Sequence, residues 1–164
     1  MLVDLSHSGE QTCLDTLRAA TRPTAITHTG CRALADDPRN KSDEELRLVA
    51  ETGGLVGIYF MPFFLVPDGR ADVTDVARHI EHAIDVCGED HVGIGTDAGT
   101  TQIDDMEALV ASPAHHRARQ LLQEVGEIVV PPDVPPVLRD LHGPDQFRHL
   151  AGVLKDRGHS AERI

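Results

Sequence analysis

At 164 residues, with 40% apolar and 26% charged side chains, the chain has the size and composition of one folded domain with its own core. Its formal net charge of −12, with no basic stripe to offset it, argues against a phosphate-backbone partner, so no nucleic acid is expected. Cys13, Cys31 and Cys87 are odd in number and form no C-x-x-C pair, which argues against a disulfide framework or a thiolate zinc site and leaves buried free thiols. No apolar stretch approaches a membrane span and the N-terminus lacks a signal-peptide pattern, so a cytoplasmic protein without a membrane segment is expected.

Leu2–Leu5 reads as a short buried strand that ends in Ser6-His7. Ser8-Gly9-Glu10-Gln11 follows as a capping box, in which Ser and Gln would satisfy each other's orphan amides at the start of a helix. Thr24–Thr27 is the second strand and delivers His28. Ser42-Asp43-Glu44-Glu45 is a second capping box, whose helix turns Leu46, Val49 and Ala50 inward and stops at Gly53-Gly54. Leu55–Phe60 is the third strand. Thr74–Cys87 places Val76, Ile80, Ala83, Ile84 and Cys87 on one helical face and ends at Gly88. His91–Gly95 is the fourth strand, followed by Asp97. Continuous apolar strands alternating with helices predict an α/β fold with a parallel four-stranded sheet covered on both faces.

Residues 100–142 break this rhythm. The acidic "DDME" (104–107) and "PPDVPP" (131–136) predict an irregular insertion with a short helix around 112–125. Helical spacing resumes with Phe147, Leu150, Val153 and Leu154, up to Gly158. Ser160–Ile164 resembles the first turn of another helix, and both termini are expected to be cut through structure.

His7, His28 and Asp97 all fall at the C-terminal ends of predicted strands, where parallel α/β folds build their sites. Two imidazoles and a carboxylate there point to a metal-assisted hydrolase, with hydrogen-bonded structural histidines as the alternative. Other polar signals are weaker. His79 and His82 stand one helical turn apart but away from the apolar face, and read as a solvated face. His115-His116 read as polar side chains on the surface of the insertion. "GIGTDAG" lacks the spacing of a dinucleotide fingerprint, and Gly93 and Gly95 read instead as allowing close packing near the metal. Cys31, without a partnering base, reads as a small buried residue.

"VDLSH", "AITHTGCRALADDPRNKSDEELRLVAETGGLVGIYF" and "ARHIEHAIDVCGEDHVGIGTDAG", in this order, resemble the C-terminal half of the membrane (renal) dipeptidase family. The likeness covers residues 2–99 closely and returns in "GPDQFRHLAGVLKDRGHSAERI" (143–164). It implies a partial TIM-like (β/α)8 barrel, with residues 1–164 as its C-terminal part and last four β/α units. It also implies zinc-dependent hydrolysis of dipeptides. His7 and His28 would ligate the second of two zinc ions, Arg39 would grip the free carboxylate of the dipeptide, and Asp97 would handle the proton of the attacking water and leaving amine.

The chain departs from the family pattern as well. The family's His-x-Asp occurs nowhere in it, and the metal-bridging Glu and a C-terminal Gly-Gly-Asn-Phe-like element are missing. At most one incomplete zinc site is therefore expected, and little activity from this chain alone. The alternatives are an inactive remnant or split subunit that needs a companion N-terminal half, and another barrel metal hydrolase of deaminase-like or lactonase-like type. Open sheet edges would favour pairing with such a companion, or self-association.

Overall fold

The computed structural model describes residues 1–124 and 130–164. Strands β1 (Ala25–Thr29), β2 (Leu55–Ile58) and β3 (Val92–Ile94) pair in parallel in the order β1-β2-β3. Helix α1 (Glu10–Ala19) precedes β1, and α2 (Asp43–Glu51) joins β1 to β2. Helices α3 (Pro62–Leu65) and α4 (Val73–Cys87) join β2 to β3. Helices α5 (Met106–Val110), α6 (Pro113–Glu124) and α7 (Gln146–Asp156) follow the sheet. Ile26, Val56 and Ile58 of the strands meet Cys13 and Leu17 of α1, Leu46 and Val49 of α2, and Val76, Ala77 and Ile80 of α4 in one apolar core. The alternating, parallel α/β arrangement is the one the sequence predicts.

The expected first strand is not formed. Leu2–Leu5 makes a single parallel bridge, Asp4 to Ala25, framed by Leu5 N–H donating to the Ala25 carbonyl at 2.8 Å and Ala25 N–H to the Val3 carbonyl at 2.9 Å. The next rung would need the Thr27 amide, but that amide donates to the Asp4 carboxylate at 3.1 Å instead. A side chain has replaced the backbone acceptor, and the ladder stops there.

β1 is itself irregular. Its register against β2 shifts between Ile26 and Thr29, a bulge that falls on Thr27-His28. The Thr27 carbonyl is thereby pushed against Gly57 of β2 and Gly95 beyond β3, and a Cβ at either glycine would overlap its oxygen. Close packing holds for Gly95 but not for Gly93, whose added Cβ would meet only Leu55 at an ordinary 3.7 Å.

Of the two predicted capping boxes one forms. Ser42 caps α2, its Oγ accepting from Glu45 N–H at 3.3 Å while the Glu45 carboxylate accepts from Ser42 N–H at 2.9 Å. At α1 the N-cap is Gly9 without a side-chain bond, and the carbonyl of Ser8 accepts from Lys41 Nζ at 2.6 Å. An unanticipated box, Asp72 with Asp75, caps α4. Residues 100–142 hold α6 where a helix was expected and α5 where none was, and their Leu138 and Leu141 reach the core. Residues 125–129 of that segment lie outside the described residues. Ser160–Ile164 closes one turn, the Arg163 and Ile164 amides donating to the Ser160 carbonyl at 3.1 and 3.2 Å. No described helix is long and apolar enough to cross a membrane.

Two histidines read as surface residues are buried. His79 is 1% exposed: its Nδ1 accepts from the Cys31 amide and its Nε2 donates to the Leu65 carbonyl, both at 2.9 Å. These two backbone partners explain how an imidazole enters the core, and they tie the loop after β1 to α3. His115 is 6% exposed, on the inner side of α6. His82 is half-buried and contacts the Asp43 carboxylate at 2.7 Å. The three cysteines are free and buried as expected; burial pushes Cys13 up to about 12 and Cys87 up to about 11.

Burial holds His79 below its ordinary value of 6.5. Below pH 6.5 the unfolded chain therefore binds a proton that the folded chain refuses. The stability tied to His79 is full above pH 6.5 and falls as pH drops towards the folded-state value. Denaturant melts from pH 8 to 5 should show a steeper acid loss in wild type than in His79→Gln, which keeps a donor but does not titrate; equal slopes would refute this. A second test concerns the bulge. Gly57→Ala should cost about 1–3 kcal/mol through overpacking against the Thr27 carbonyl, whereas Gly152→Ala, whose Cβ enters open space in α7, should be neutral or stabilising. Equal stability of these two variants would mean that the close approach at Thr27 is absent.

Candidate functional site

The site residues gather at the C-terminal ends of the strands. His7 follows the bridged N-terminal segment, His28 lies in β1, Arg39 sits in the loop between β1 and α2, and Asp97 follows β3. The structure brings His7 and His28 together: their Nε2 atoms are 2.9 Å apart, with ring centroids at 4.9 Å and planes at 61°.

Each imidazole is held by a different device. His7 is fixed through the backbone on both sides. Arg39 Nη1 donates to the Ser6 carbonyl at 2.9 Å, and Lys41 Nζ donates to the Ser8 carbonyl at 2.6 Å. Lys41 is almost fully buried and its charge is met by the buried Glu45, 3.3 Å away, the same carboxylate that caps α2. Arg32 approaches Glu45 at 3.9 Å and binds Glu10 at 2.9 Å, so the cluster links α1 to α2. A buried charge pair of this kind is retained only when it is well bonded, and losing one partner is costly.

His28 is fixed by a polar cluster around Asp4. Its amide donates to Ser6 Oγ at 3.1 Å and its Nδ1 lies 3.0 Å from Thr27 Oγ1. The Asp4 carboxylate accepts from the amides of Ser6 and Thr27, both at 3.1 Å, and from the hydroxyls of Ser6 and Thr27, both at 2.6 Å. Partial burial opposes its charge, yet these hydrogen bonds prevail and hold the carboxyl far below the usual range. Burial lowers His28, against the nearby negative charge of Asp97.

Arg39 Nη2 reaches to 3.3 Å from His7 Nε2, and its guanidinium carbon lies 5.7 Å from the Phe64 ring centroid. A rigid aromatic neighbour of this kind steadies the planar fork. Asp97 is exposed and adopts a left-handed φ of 53°, unusual for a residue other than glycine. Its carboxylate makes no hydrogen bond among the described residues and stands free on the loop.

Sequence reasoning did not single out Asp4, Ser6, Thr27 and Lys41. The signals were a carboxylate inside an apolar run, "LVDLSH", and a Lys-Glu pair four apart at a helix start. Two imidazole nitrogens at one point suit a transition-metal ion in kind. In number they fall short, because no group of three or more His, Cys, Asp or Glu side chains is arranged to hold a metal among the described residues. A catalytic metal generally has three protein ligands.

The chain is similar to several known proteins. A protein encoded in the pqqA 5′ region of Klebsiella pneumoniae is 40% identical over 118 residues, which are 69% of this chain and 44% of that protein. An amidohydrolase of Pseudomonas aeruginosa matches with a TM-score of 0.72 and 26% identity over 99% of this chain and 47% of its own. A metallopeptidase of Rhodobacter sphaeroides, solved with a phosphinate mimic of the dipeptide L-Ala-D-Ala, matches with a TM-score of 0.68 and 26% identity over 98% of this chain and 37% of its own. The chain thus spans less than half the length of each of these relatives, and its parallel sheet and helices correspond to part of the TIM-like barrel of the solved structures. Residues 1–116 match the family model described as membrane dipeptidase, peptidase family M19, and the chain belongs to that family.

Proposed function

We propose that this chain carries part of the active site of a zinc-dependent dipeptidase, as the C-terminal part of a barrel domain. The observation that carries the reading is the convergence of His7 and His28 Nε2 at 2.9 Å, with Arg39 beside them. The Rhodobacter relative with its dipeptide mimic supports a dipeptide as the substrate class. His7 and His28 would hold a zinc ion, whose chemistry would be polarisation of the scissile carbonyl and activation of water as a nucleophile.

The chain's own residues set up the rest. His7 and His28 present their Nε2 atoms from two segments whose backbones are held independently. Arg39 spends Nη1 on the Ser6 carbonyl, which leaves Nη2 to receive the C-terminal carboxylate of a dipeptide. A cation fixed at that distance selects short substrates, because a longer peptide has an amide where the carboxylate should be. Asp97, exposed and unpaired among the described residues, takes a proton from the attacking water and returns it to the leaving amine.

The donor shortage favours a split site. The third metal donor comes from a companion segment that fills the part of the barrel this chain does not cover. Exposed Leu2 and Val3 at one sheet margin, and Ile94 at the other, suit such a neighbour.

Zinc titration of the chain alone should show one weak site that His28→Ala abolishes. L-Ala-D-Ala should be hydrolysed only after an upstream segment of a family member is supplied, and in that assay Arg39→Lys should raise KM by about tenfold or more through loss of the planar fork. Two tight zinc ions and full turnover in the chain alone would overturn the split-site reading. Failure of His28→Ala to change zinc binding would overturn the metal site itself. Turnover of another substrate class, but not of dipeptides, would assign the site to a different barrel hydrolase.

A further inference from the structure

We propose that Asp4 and Thr27 form a proton-ordering relay that keeps the Nδ1 proton on His28 and leaves its Nε2 lone pair free, so that both act as positioning residues for the imidazole. An ionised carboxylate only accepts, so the 2.6 Å contact between Thr27 Oγ1 and Asp4 Oδ2 contains the Thr27 hydroxyl proton. That proton is the only one Thr27 Oγ1 has. The second contact of the same oxygen, 3.0 Å to His28 Nδ1, must then be filled from the ring, with Nδ1–H donating.

Ser6 does not change the result. Its hydroxyl is 2.6 Å from Asp4 Oδ1 and 3.1 Å from Thr27 Oγ1, and in either direction Thr27 remains an acceptor towards the ring. The other Asp4 contacts, the amides of Ser6 and Thr27, can only donate and keep the carboxylate turned this way. A neutral imidazole protonated at Nδ1 has its lone pair on Nε2. The 2.9 Å contact between the two rings is then filled by His7 Nε2–H, and Arg39 Nη2, 3.3 Å from the same nitrogen, stands beside it as a neighbouring cation rather than as a hydrogen-bond donor.

The arrangement answers a chemical need. Histidines that bind metals through one nitrogen generally donate the other N–H to an outer partner, which fixes tautomer and ring angle. Here the outer partner is a hydroxyl made a pure acceptor by a carboxylate behind it. The use of the free Nε2 for metal rests on the function proposed above; the tautomer itself does not.

Two-bond 1H–15N correlation of the imidazoles in the 164-residue chain without added metal tests the relay, with the His28→Gln spectrum identifying the His28 signals. Wild type should show His28 protonated at Nδ1. Asp4→Asn keeps the Oδ1 acceptor but places an N–H donor where Oδ2 was. Thr27 would then accept from Asn and donate to His28 Nδ1, so His28 should move its proton to Nε2. Thr27→Ser should retain the wild-type tautomer and Thr27→Val should lose it, which keeps the test available if Asp4→Asn does not fold. Zinc affinity should fall about 10–100-fold in Asp4→Asn and remain near wild type in Thr27→Ser. A His28 proton on Nε2 in wild type, or an unmoved proton in folded Asp4→Asn or Thr27→Val, would overturn the relay. A reversed tautomer with unchanged zinc affinity would overturn its positioning role. The expected tautomers without any zinc binding would uphold the relay and overturn the metallopeptidase reading alone.

Discussion

The site depends first on the carboxylate of Asp4. The N-terminal segment is too poorly paired to place His7 by backbone ladder alone, since its pairing with β1 ends at one bridge. Asp4 continues the connection by other means. It gathers the Ser6 and Thr27 amides and both of their hydroxyls, so one charged group joins the residue before His7 to the residue before His28. Hydrogen bonds to a charged acceptor are shorter and stronger than neutral ones, and the 2.6 Å hydroxyl contacts show this. The two imidazoles meet because their preceding residues share an acceptor.

The second constraint is room. A bulge at Thr27-His28 re-aims these side chains only if the displaced Thr27 carbonyl has somewhere to go. Gly57 and Gly95 supply that space by lacking a Cβ. Around the same point, the loop from β1 to α2 returns two cations to the backbone of the N-terminal segment: Arg39 on Ser6 and Lys41 on Ser8. Lys41 depends on Glu45, and Glu45 caps α2, so the start of that helix and the placement of His7 share one buried carboxylate. Helix capping and site geometry are thereby coupled through a single residue.

Much of this was legible in the sequence. The alternation of apolar runs and helical patterns predicted the parallel α/β arrangement, and the histidines at strand ends predicted the pair. The errors have a common cause, since each arose where a tertiary partner overrode a local pattern. Leu2–Leu5 has strand composition, but Asp4 diverts the amide that would continue the ladder. Ser8-Gly9-Glu10-Gln11 has capping-box spacing, but the cap falls on Gly9 and the Ser8 carbonyl is taken by Lys41. His79 lies off the apolar stripe of α4, yet two backbone groups from other segments admit it to the core. Asp4 and Thr27 carry no pattern of their own, because their role exists only where two segments 23 residues apart meet.

On the proposed split site, the same geometry says where further metal donors would enter. In a parallel barrel, the groups that meet at one end come from adjacent strands. His28 stands in β1, flanked by β2 on one side and by the bridged segment with His7 on the other. β2 contributes Gly57 at its closest approach to the bulge, a residue with no side chain to offer. Beyond β2, the loop after β3 contributes Asp97, whose carboxylate stands free of hydrogen bonds among the described residues. The remaining approach is along the outer side of the N-terminal segment, where Leu2 and Val3 are exposed. A strand added there would cover those two residues and set its own side chains next to His7, so the apolar margin and the incomplete donor set would be satisfied by the same neighbour.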